Sequence, residues 1–214
     1  MAVPRKAAVN AAGIELPEIE RSLVTLTILG ITPYIPHKWS EKAKRMMRAK
    51  QQQGITPKKD LKSPEEDAWA ATYWLADGRT GIPAGALKTA LVDSVRLVEG
   101  LTMTMAKFGI WVLGEGEESL VPLEGEIKMR EDMVRNETGV ADIRYRNQFW
   151  PWTAVVKIHV VNKVIQPRNV PQLIDGAGLL GIGDWRPSAP KVASGDFGQF
   201  ILDRSQEIVI EKFD

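Results

Sequence analysis

Residues 23–31, LVTLTILGI, alternate apolar side chains with threonine and constrain the fold more than any other segment. A period of two is typical of a β-strand with one buried face, so this segment predicts a sheet whose second face is less buried. The chain has 214 residues, 44% of them hydrophobic, which is enough for the core of one large domain. We therefore predict a single domain over residues 1–214.

A turn and a helix are predicted in residues 73–100, YWLADGRTGIPAGALKTALVDSVRLVEG. Asp77-Gly78 is typical of a tight turn, and Pro83 stands where a helix would begin. Apolar residues then recur at helical spacing and predict a buried helix that ends at Gly100. These residues are Leu87, Ala90, Leu91, Val95 and Val98.

The second half of the chain adds strands and one more helix. Strand-like segments cover residues 108–113, 123–130, 141–149, 154–162 and 198–212, and Arg204-Ser205 predicts a turn that makes the last segment a hairpin. Before it, Leu173, Ile174, Ala177 and Leu180 follow Pro171 at helical spacing. This order of elements predicts an α+β fold with helices on one face of a largely antiparallel sheet.

Positive charge is concentrated in residues 38–62, which hold nine Lys or Arg residues and two acidic residues, a charge of +7. With 28 basic and 27 acidic residues in the whole chain, the remainder carries −6. The sequence predicts a helix that begins at Ser40 and a second helix that begins with a capping box from Ser63 to Glu66. Residues 38–72 are therefore predicted to be a basic helical insertion. The charge favours a polyanion-binding surface or, alternatively, a solvated lysine-rich helix.

Composition excludes several classes of function. The absence of cysteine excludes disulfides, thiolate–zinc sites and cysteine nucleophiles, and two histidines cannot form a three-histidine metal site. The sequence has no run of eighteen apolar residues, and its first twenty residues contain no apolar run of signal-peptide length. We therefore expect a cytoplasmic protein that has no membrane segment and no cofactor.

Residues 176–200, GAGLLGIGDWRPSAPKVASGDFGQF, begin with G-x-G-x-x-G. A dinucleotide fingerprint leaves a strand and opens a helix, whereas this motif ends a predicted helix and only 33 residues follow Gly181. Glycines beside a guanidinium and aromatic rings instead favour a cradle for a nucleic-acid backbone. The alternative is an irregular turn that needs glycine for its dihedral angles. The candidate residues are Gly181, Gly183, Trp185, Arg186, Lys191 and Phe197.

Residues 128–152, KMREDMVRNETGVADIRYRNQFWPW, are rich in arginine and aromatic residues. This composition predicts a long hairpin that intercalates bases or contacts a neighbouring subunit. Arg144 and Arg146, on either side of Tyr145, are the candidate binding residues. A core position explains Phe149 and Trp152 equally well.

Two segments resemble the RAMP superfamily, the RNA-recognition-motif-like proteins that form backbone subunits and some processing nucleases of CRISPR systems. DGRTGIPAGALKTALVDSVR is similar to the family's I-P-x-x-x-L-K helix opening, and LIDGAGLLGIGDWRPSAPKVASGDFGQFIL resembles its glycine-rich loop. The resemblance implies a ferredoxin-like or RRM-like sheet. It also implies that Arg79 and Lys88 lie near a bound strand, and that the glycine-rich loop supports that strand's backbone.

This chain departs from the family pattern in both segments. Gly85 and Ala86 stand where small hydroxyl residues are usual, and residues 187–190, PSAP, lengthen the glycine-rich loop. The departures favour a distant relative, for example from a phage or mobile element.

The same resemblance bears on catalysis. Family members that cleave RNA use an aspartate in the loop after strand one, or a histidine near that loop. In this chain the corresponding loop, TPYIPHKWSEK, has His37 but no aspartate. His37 is thus a candidate general base for attack of a ribose 2′-hydroxyl on the adjacent phosphate, aided by Lys38. The alternative is an ordinary surface histidine.

We predict a non-catalytic protein that binds single-stranded RNA or DNA and assembles along the strand into helical arrays or a multisubunit ribonucleoprotein. Alternatives are a metal-independent endoribonuclease that uses His37, and a structural or interaction protein of a phage or mobile element. The predicted binding residues are Lys38, Lys42, Arg45, Arg48, Arg79, Lys88, Arg144, Arg146, Gly181, Gly183, Trp185, Arg186, Lys191 and Phe197.

Overall fold

The computed structural model describes residues 18–54, 61–135, 139–190 and 195–213. Its strands are β1 (Arg21–Gly30), β2 (Thr80–Pro83), β3 (Ile110–Leu113), β4 (Leu120–Arg135), β5 (Ala141–Val161), β6 (Phe200–Leu202) and β7 (Val209–Lys212). Its helices are α1 (Glu41–Gln53), α2 (Pro64–Ala70), α3 (Ala84–Ser94), α4 (Met103–Gly109) and α5 (Val170–Leu180). Among the described residues, no helix is long and apolar enough to cross a membrane.

The strands form one antiparallel sheet in the order β2-β4-β5-β1-β6, with β3 pairing β5 and β7 pairing β1. Val24, Leu26 and Ile28 of β1 are buried, whereas the residues between them are partly exposed, as the alternation predicted. Helices α3 and α5 contribute to the core on the buried face. The predicted α+β fold, with helices on one face of an antiparallel sheet, is confirmed.

Helix α3 begins directly after Pro83, and its residues Leu87 and Leu91 are buried as predicted. The helix ends at Ser94 and continues as a short 3-10 turn, so the predicted end at Gly100 is wrong and Val98 is 38% exposed. Helix α4 was not predicted. It has only seven residues and is capped by the Thr102 side chain, which accepts a hydrogen bond from the amide of Met105.

Strands β4 and β5 form a hairpin much longer than the predicted 128–152 segment. The predicted strands 141–149 and 154–162 are one continuous strand, β5. Its first half pairs with β4, and its second half pairs with β1 and β3. A register shift between Gly125 and Ile127 interrupts the β4–β5 ladder. The chain after β1 also contacts β5, where Tyr34 and Phe149 exchange backbone hydrogen bonds of 3.1 and 2.9 Å.

The predicted C-terminal hairpin about Arg204-Ser205 is wrong. Strands β6 and β7 both pair with β1, β6 at Ile28–Gly30 and β7 at Ser22–Thr25, rather than with each other. The Asp203 amide donates to the carbonyl of Thr27, and its side chain accepts from the amide of Ser205. The first bond ties Asp203 to β1 and the second lies within the turn, and the chain then resumes along the same strand instead of reversing.

Helix α2 begins at Pro64 as predicted, but the side chain of Ser63 makes no capping hydrogen bond. The predicted capping box is therefore not formed. Helix α1 is capped, since the Ser40 hydroxyl accepts from the amide of Ala43 at 3.2 Å.

Candidate nucleic-acid interface

A cleft of about 450 Å³ lies between the basic insertion and the first half of β5. Its lining brings together two segments that the sequence analysis flagged separately. Its basic residues are His37, Lys38, Lys42, Lys62, Arg144 and Arg146; its acidic residues are Asp67 and Asp142; and its remaining residues are Trp39, Ser40, Ala43, Met46, Ala71 and Tyr145. With histidine neutral, five cations and two carboxylates give the lining a charge of +3. We call this site the basic cleft.

The lysines of the basic cleft are held by contacts near the surface. Lys38 lies 2.7 Å from the Glu118 carboxylate, and Lys62 lies 2.8 Å from the Asp142 carboxylate. Lys42 donates to the carbonyl of Leu61 at 3.1 Å. Exposed pairs of this kind contribute little to stability, so these ammonium groups can exchange their contacts for a ligand phosphate at small cost.

Trp39 also lines the basic cleft, and its side chain is 53% exposed. Trp39 is not among the residues predicted from the sequence. The available signal was an aromatic residue inside the basic run HKWSEK, a combination typical of surfaces that bind single strands.

Arg146 and Asp184 form a nearly buried ion pair at the base of the basic cleft, where Arg146 is only 2% exposed. Burial lowers the pKa of Arg146 despite the nearby Asp184 charge. Burial alone would raise the pKa of Asp184, but the hydrogen bond from His37 and the charge of Arg146 outweigh it, so the pKa is lowered. His37 Nδ1 lies 3.4 Å from the same carboxylate. The Asp184 carboxylate therefore contacts the side chains of both Arg146 and His37.

The aromatic residues of the glycine-rich loop, residues 181–199, pack against arginines of the hairpin. The Trp185 ring lies 4.7 Å from the Arg146 guanidinium and 5.6 Å from that of Arg130. Phe197 lies 4.9 Å from Arg130, which is itself held by the Asp132 carboxylate. These cation–π contacts use the rings that were predicted to stack on a ligand.

The glycines of this loop are close to the protein's own backbone. A Cβ at Gly183, where φ is +77°, would lie 2.5 Å from the Ile35 carbonyl oxygen and 2.7 Å from the Tyr34 ring. At Gly181, with φ +70°, it would lie 3.0 Å from the Phe197 carbonyl oxygen. The irregular-turn interpretation accounts for both positions. Protein atoms therefore occupy the side of both glycines on which a Cβ would stand, and the predicted approach of a ligand backbone there stays a prediction.

A chain from a solved structure has a related fold. It is a chain in the cryo-EM structure of the Type III-B Cmr-beta bound to cognate target RNA. The two chains are 10% identical with a TM-score of 0.51, and the match covers 90% of this chain and 61% of that one. This chain thus spans about three fifths of its structural neighbour, and a likeness at such low identity shows the fold alone. No protein-family model and no curated protein matches the sequence.

The remaining predicted residues lie outside the basic cleft. Arg45 and Arg48 are exposed on α1, and neither is among the residues that line it. Arg79 pairs with Asp77 and Glu115, and Lys88 lies 5.1 Å from the Trp111 ring on β3. The structure therefore does not bring Arg79 and Lys88 into the cleft that holds Arg144 and Arg146.

Two further candidates belong to the glycine-rich loop. Arg186 donates to the Gly183 carbonyl at 2.9 Å and to the Ser188 hydroxyl at 3.1 Å, so its guanidinium stabilises the loop itself. Lys191 lies outside the described residues.

Proposed function

We propose that this protein binds single-stranded nucleic acid, RNA in particular, in the basic cleft and does not cleave it. The observation that carries the proposal is the convergence of Lys42 and Lys62 from the insertion with Arg144 from β5 around an exposed tryptophan. Cations that track phosphates, combined with an exposed ring, are the recurring design of single-strand binding sites. The fold it shares with a chain from an RNA-bound structure supports RNA as the ligand.

Kinship with the RAMP superfamily is part of this proposal. The fold likeness and the two sequence segments that resemble the family together support a role like that of a CRISPR backbone subunit, assembled head to tail along a strand or within a multisubunit ribonucleoprotein. Heterologous contacts of this kind give open arrays rather than closed dimers. Light scattering on RNAs of increasing length tests this, since mass should rise in steps, whereas a constant one-to-one complex would contradict assembly.

Binding is tested by fluorescence anisotropy with single-stranded RNA, single-stranded DNA and duplex DNA over a series of salt concentrations. The triple variant Lys42→Gln, Lys62→Gln, Arg144→Gln should bind single strands more weakly. Because each phosphate contact contributes about 0.7 to the slope of log affinity against log salt, the slope should fall by about 2.

A matched control removes the same charge elsewhere. Lys107, Lys163 and Arg168 are exposed and do not line the basic cleft, so their triple change to Gln should leave the slope nearly unchanged. Equal effects of the two triple variants would contradict a binding site in the cleft. A parent protein that binds none of the three nucleic acids would overturn the proposed function and favour a structural or interaction protein.

A second candidate function is supported by one contact, that of His37 with Asp184. A carboxylate at Nδ1 holds the proton there and leaves Nε2 to accept one, which is the arrangement of a general base. Nε2 would take the proton of a ribose 2′-hydroxyl, whose oxygen attacks the adjacent phosphate. Lys38 would donate a proton to the 5′-oxygen as its bond to phosphorus breaks, and a 2′,3′-cyclic phosphate remains.

Incubation with end-labelled RNA, and with the same RNA carrying 2′-deoxyribose throughout, distinguishes binding from cleavage. We expect both to stay intact. Cleavage of the RNA alone, lost in His37→Ala, would replace the non-catalytic proposal with the endoribonuclease.

A further inference from the structure

Within the part of the chain that the structure describes, Trp39 differs from two other exposed tryptophans in having no aromatic or cationic ring contact. Trp69 is 59% exposed, but its ring stacks on Trp74 with a centroid distance of 3.9 Å, and the exposed Trp111 stacks on His159. Among the described residues, Trp39 makes no ring–ring or cation–π contact. Trp150 is exposed on β5 as well, but it does not line the basic cleft.

The backbone on both sides of Trp39 is anchored. The amide of Lys38 donates to the Ala71 carbonyl at 2.9 Å, and the Ser40 side chain caps α1. The indole is therefore presented to the cleft from a fixed backbone. A rigid aromatic side chain has few torsions to immobilise on binding, so little conformational entropy opposes a contact with a ligand.

The charge around Trp39 indicates which ligand this surface suits. Lys42, Lys62 and Arg144 line the same cleft, where they can contact phosphates spaced along a strand. A nucleobase has a flat π-face that stacks on an indole whatever its sequence, but only when it is not already stacked between its neighbours in a duplex. Phosphate contacts alone do not distinguish a single strand from a duplex in this way.

We propose that Trp39 stacks on one unpaired base of a bound strand and is the residue that selects single strands over duplexes. The inference deepens the proposed function and rests on it: the lysines and Arg144 bind the backbone, and Trp39 contacts the base. Discrimination between single and double strands then resides in one side chain.

The test compares Trp39→Ala with the parent on three ligands of equal length: a single-stranded RNA, the same strand with abasic spacers through its centre, and a duplex. Loss of one base stack should weaken binding of the intact single strand about tenfold. Binding of the abasic strand and the duplex should not change, and neither should the salt slope. Trp39→Phe should restore most of the lost affinity.

Trp69→Ala is the matched control, because Trp69 is equally exposed but lies outside the basic cleft; it should bind all three ligands like the parent. Suppose that the parent binds the intact strand and Trp39→Ala binds it equally tightly. The stacking inference is then overturned, while the proposed function stands. An equal loss on intact and abasic strands also overturns it, since the residue would then only shape the cleft. A parent that binds no nucleic acid overturns both.

Discussion

The basic cleft and the glycine-rich loop have similar sequence signals but use their side chains differently. Both combine cations with aromatic residues, and both were predicted to bind nucleic acid. In the loop, Arg186 bonds to its own backbone and Trp185 packs against Arg146. In the cleft, Trp39 is exposed, and Lys62 makes a surface ion pair with Asp142 and an exposed hydrogen bond to the Ile143 carbonyl. Residue type therefore does not indicate whether a cation or a ring is available to a ligand; its existing contacts do.

The two regions meet at Asp184. This residue belongs to the loop, yet its carboxylate holds Arg146 and contacts His37, both of which line the basic cleft. A buried charge is tolerated only when it is paired, so the loop supplies the partner that lets Arg146 stay at the base of the cleft. We infer a division of roles in which the loop stabilises the architecture and the cleft binds. Variants of the loop should therefore lose mainly stability, and variants of the cleft mainly affinity.

Asp184→Asn should destabilise the protein by about 3 kcal/mol at neutral pH, because it leaves the Arg146 guanidinium buried without its counter-charge. Urea denaturation measures the change. The control is Glu115→Gln, which removes a carboxylate from an exposed ion pair with Arg79 and should cost less than about 1 kcal/mol. Equal effects of the two variants would show that the buried pair has no special role.

The same pair predicts a pH dependence. The folded-state pKa of Asp184 is lowered, so its contribution to stability is fully present above the unfolded-state pKa of about 4 and is lost as the pH falls through the lower folded-state value. The stability difference between the parent and Asp184→Asn should therefore be present above about pH 4 and shrink in more acidic solution. A difference that grows below pH 4 would contradict the ion pair as its source.

Gly183→Ala should cost about 2 kcal/mol more than Gly116→Ala. Both glycines have positive φ, at +77° and +68°, so both substitutions carry the same kind of dihedral strain. Only at Gly183 would the added Cβ meet the Ile35 carbonyl and the Tyr34 ring, while nothing lies within 4 Å of it at Gly116. The difference in unfolding free energy thus isolates the steric term. If the two variants instead lose similar amounts of unfolding free energy, the space beside Gly183 is open enough for a ligand to approach.

Local periodicity explains what the sequence predicted well. The alternation in β1 and the stripe through Leu87 and Leu91 are each signals within one element, and both elements formed, although α3 ends at Ser94 before the predicted Gly100. Helix α4 was missed because it has seven residues and buries only Ala106 and Gly109, too few for a periodic pattern. The prediction of a hairpin between β6 and β7 was wrong because the partner of a strand depends on tertiary contacts. Here both strands pair with β1.

The candidate site was predicted in pieces for a related reason. The charge of residues 38–62 and the Arg–Tyr–Arg run of β5 are visible in the sequence, but their convergence on one cleft depends on where the insertion packs. The pairing of Arg146 with Asp184 joins residues 38 positions apart and leaves no spacing signature. Trp39 differs from the stacked tryptophans only in its contacts, which the sequence does not report.

Arg186→Ala should have the smallest effect and gives the most direct comparison between loop and cleft. It removes two hydrogen bonds within the loop, to the Gly183 carbonyl and the Ser188 hydroxyl, so stability should fall by about 1 kcal/mol or less. Its affinity for single-stranded RNA should stay within about twofold of the parent, whereas Arg144→Ala should weaken binding about tenfold through a lost charge-assisted phosphate contact. Thermal unfolding and anisotropy on the same samples separate the two effects. If instead Arg186→Ala weakens RNA binding as much as Arg144→Ala at unchanged stability, the guanidinium leaves its loop contacts for a phosphate when RNA binds, and the glycine-rich loop shares the binding role.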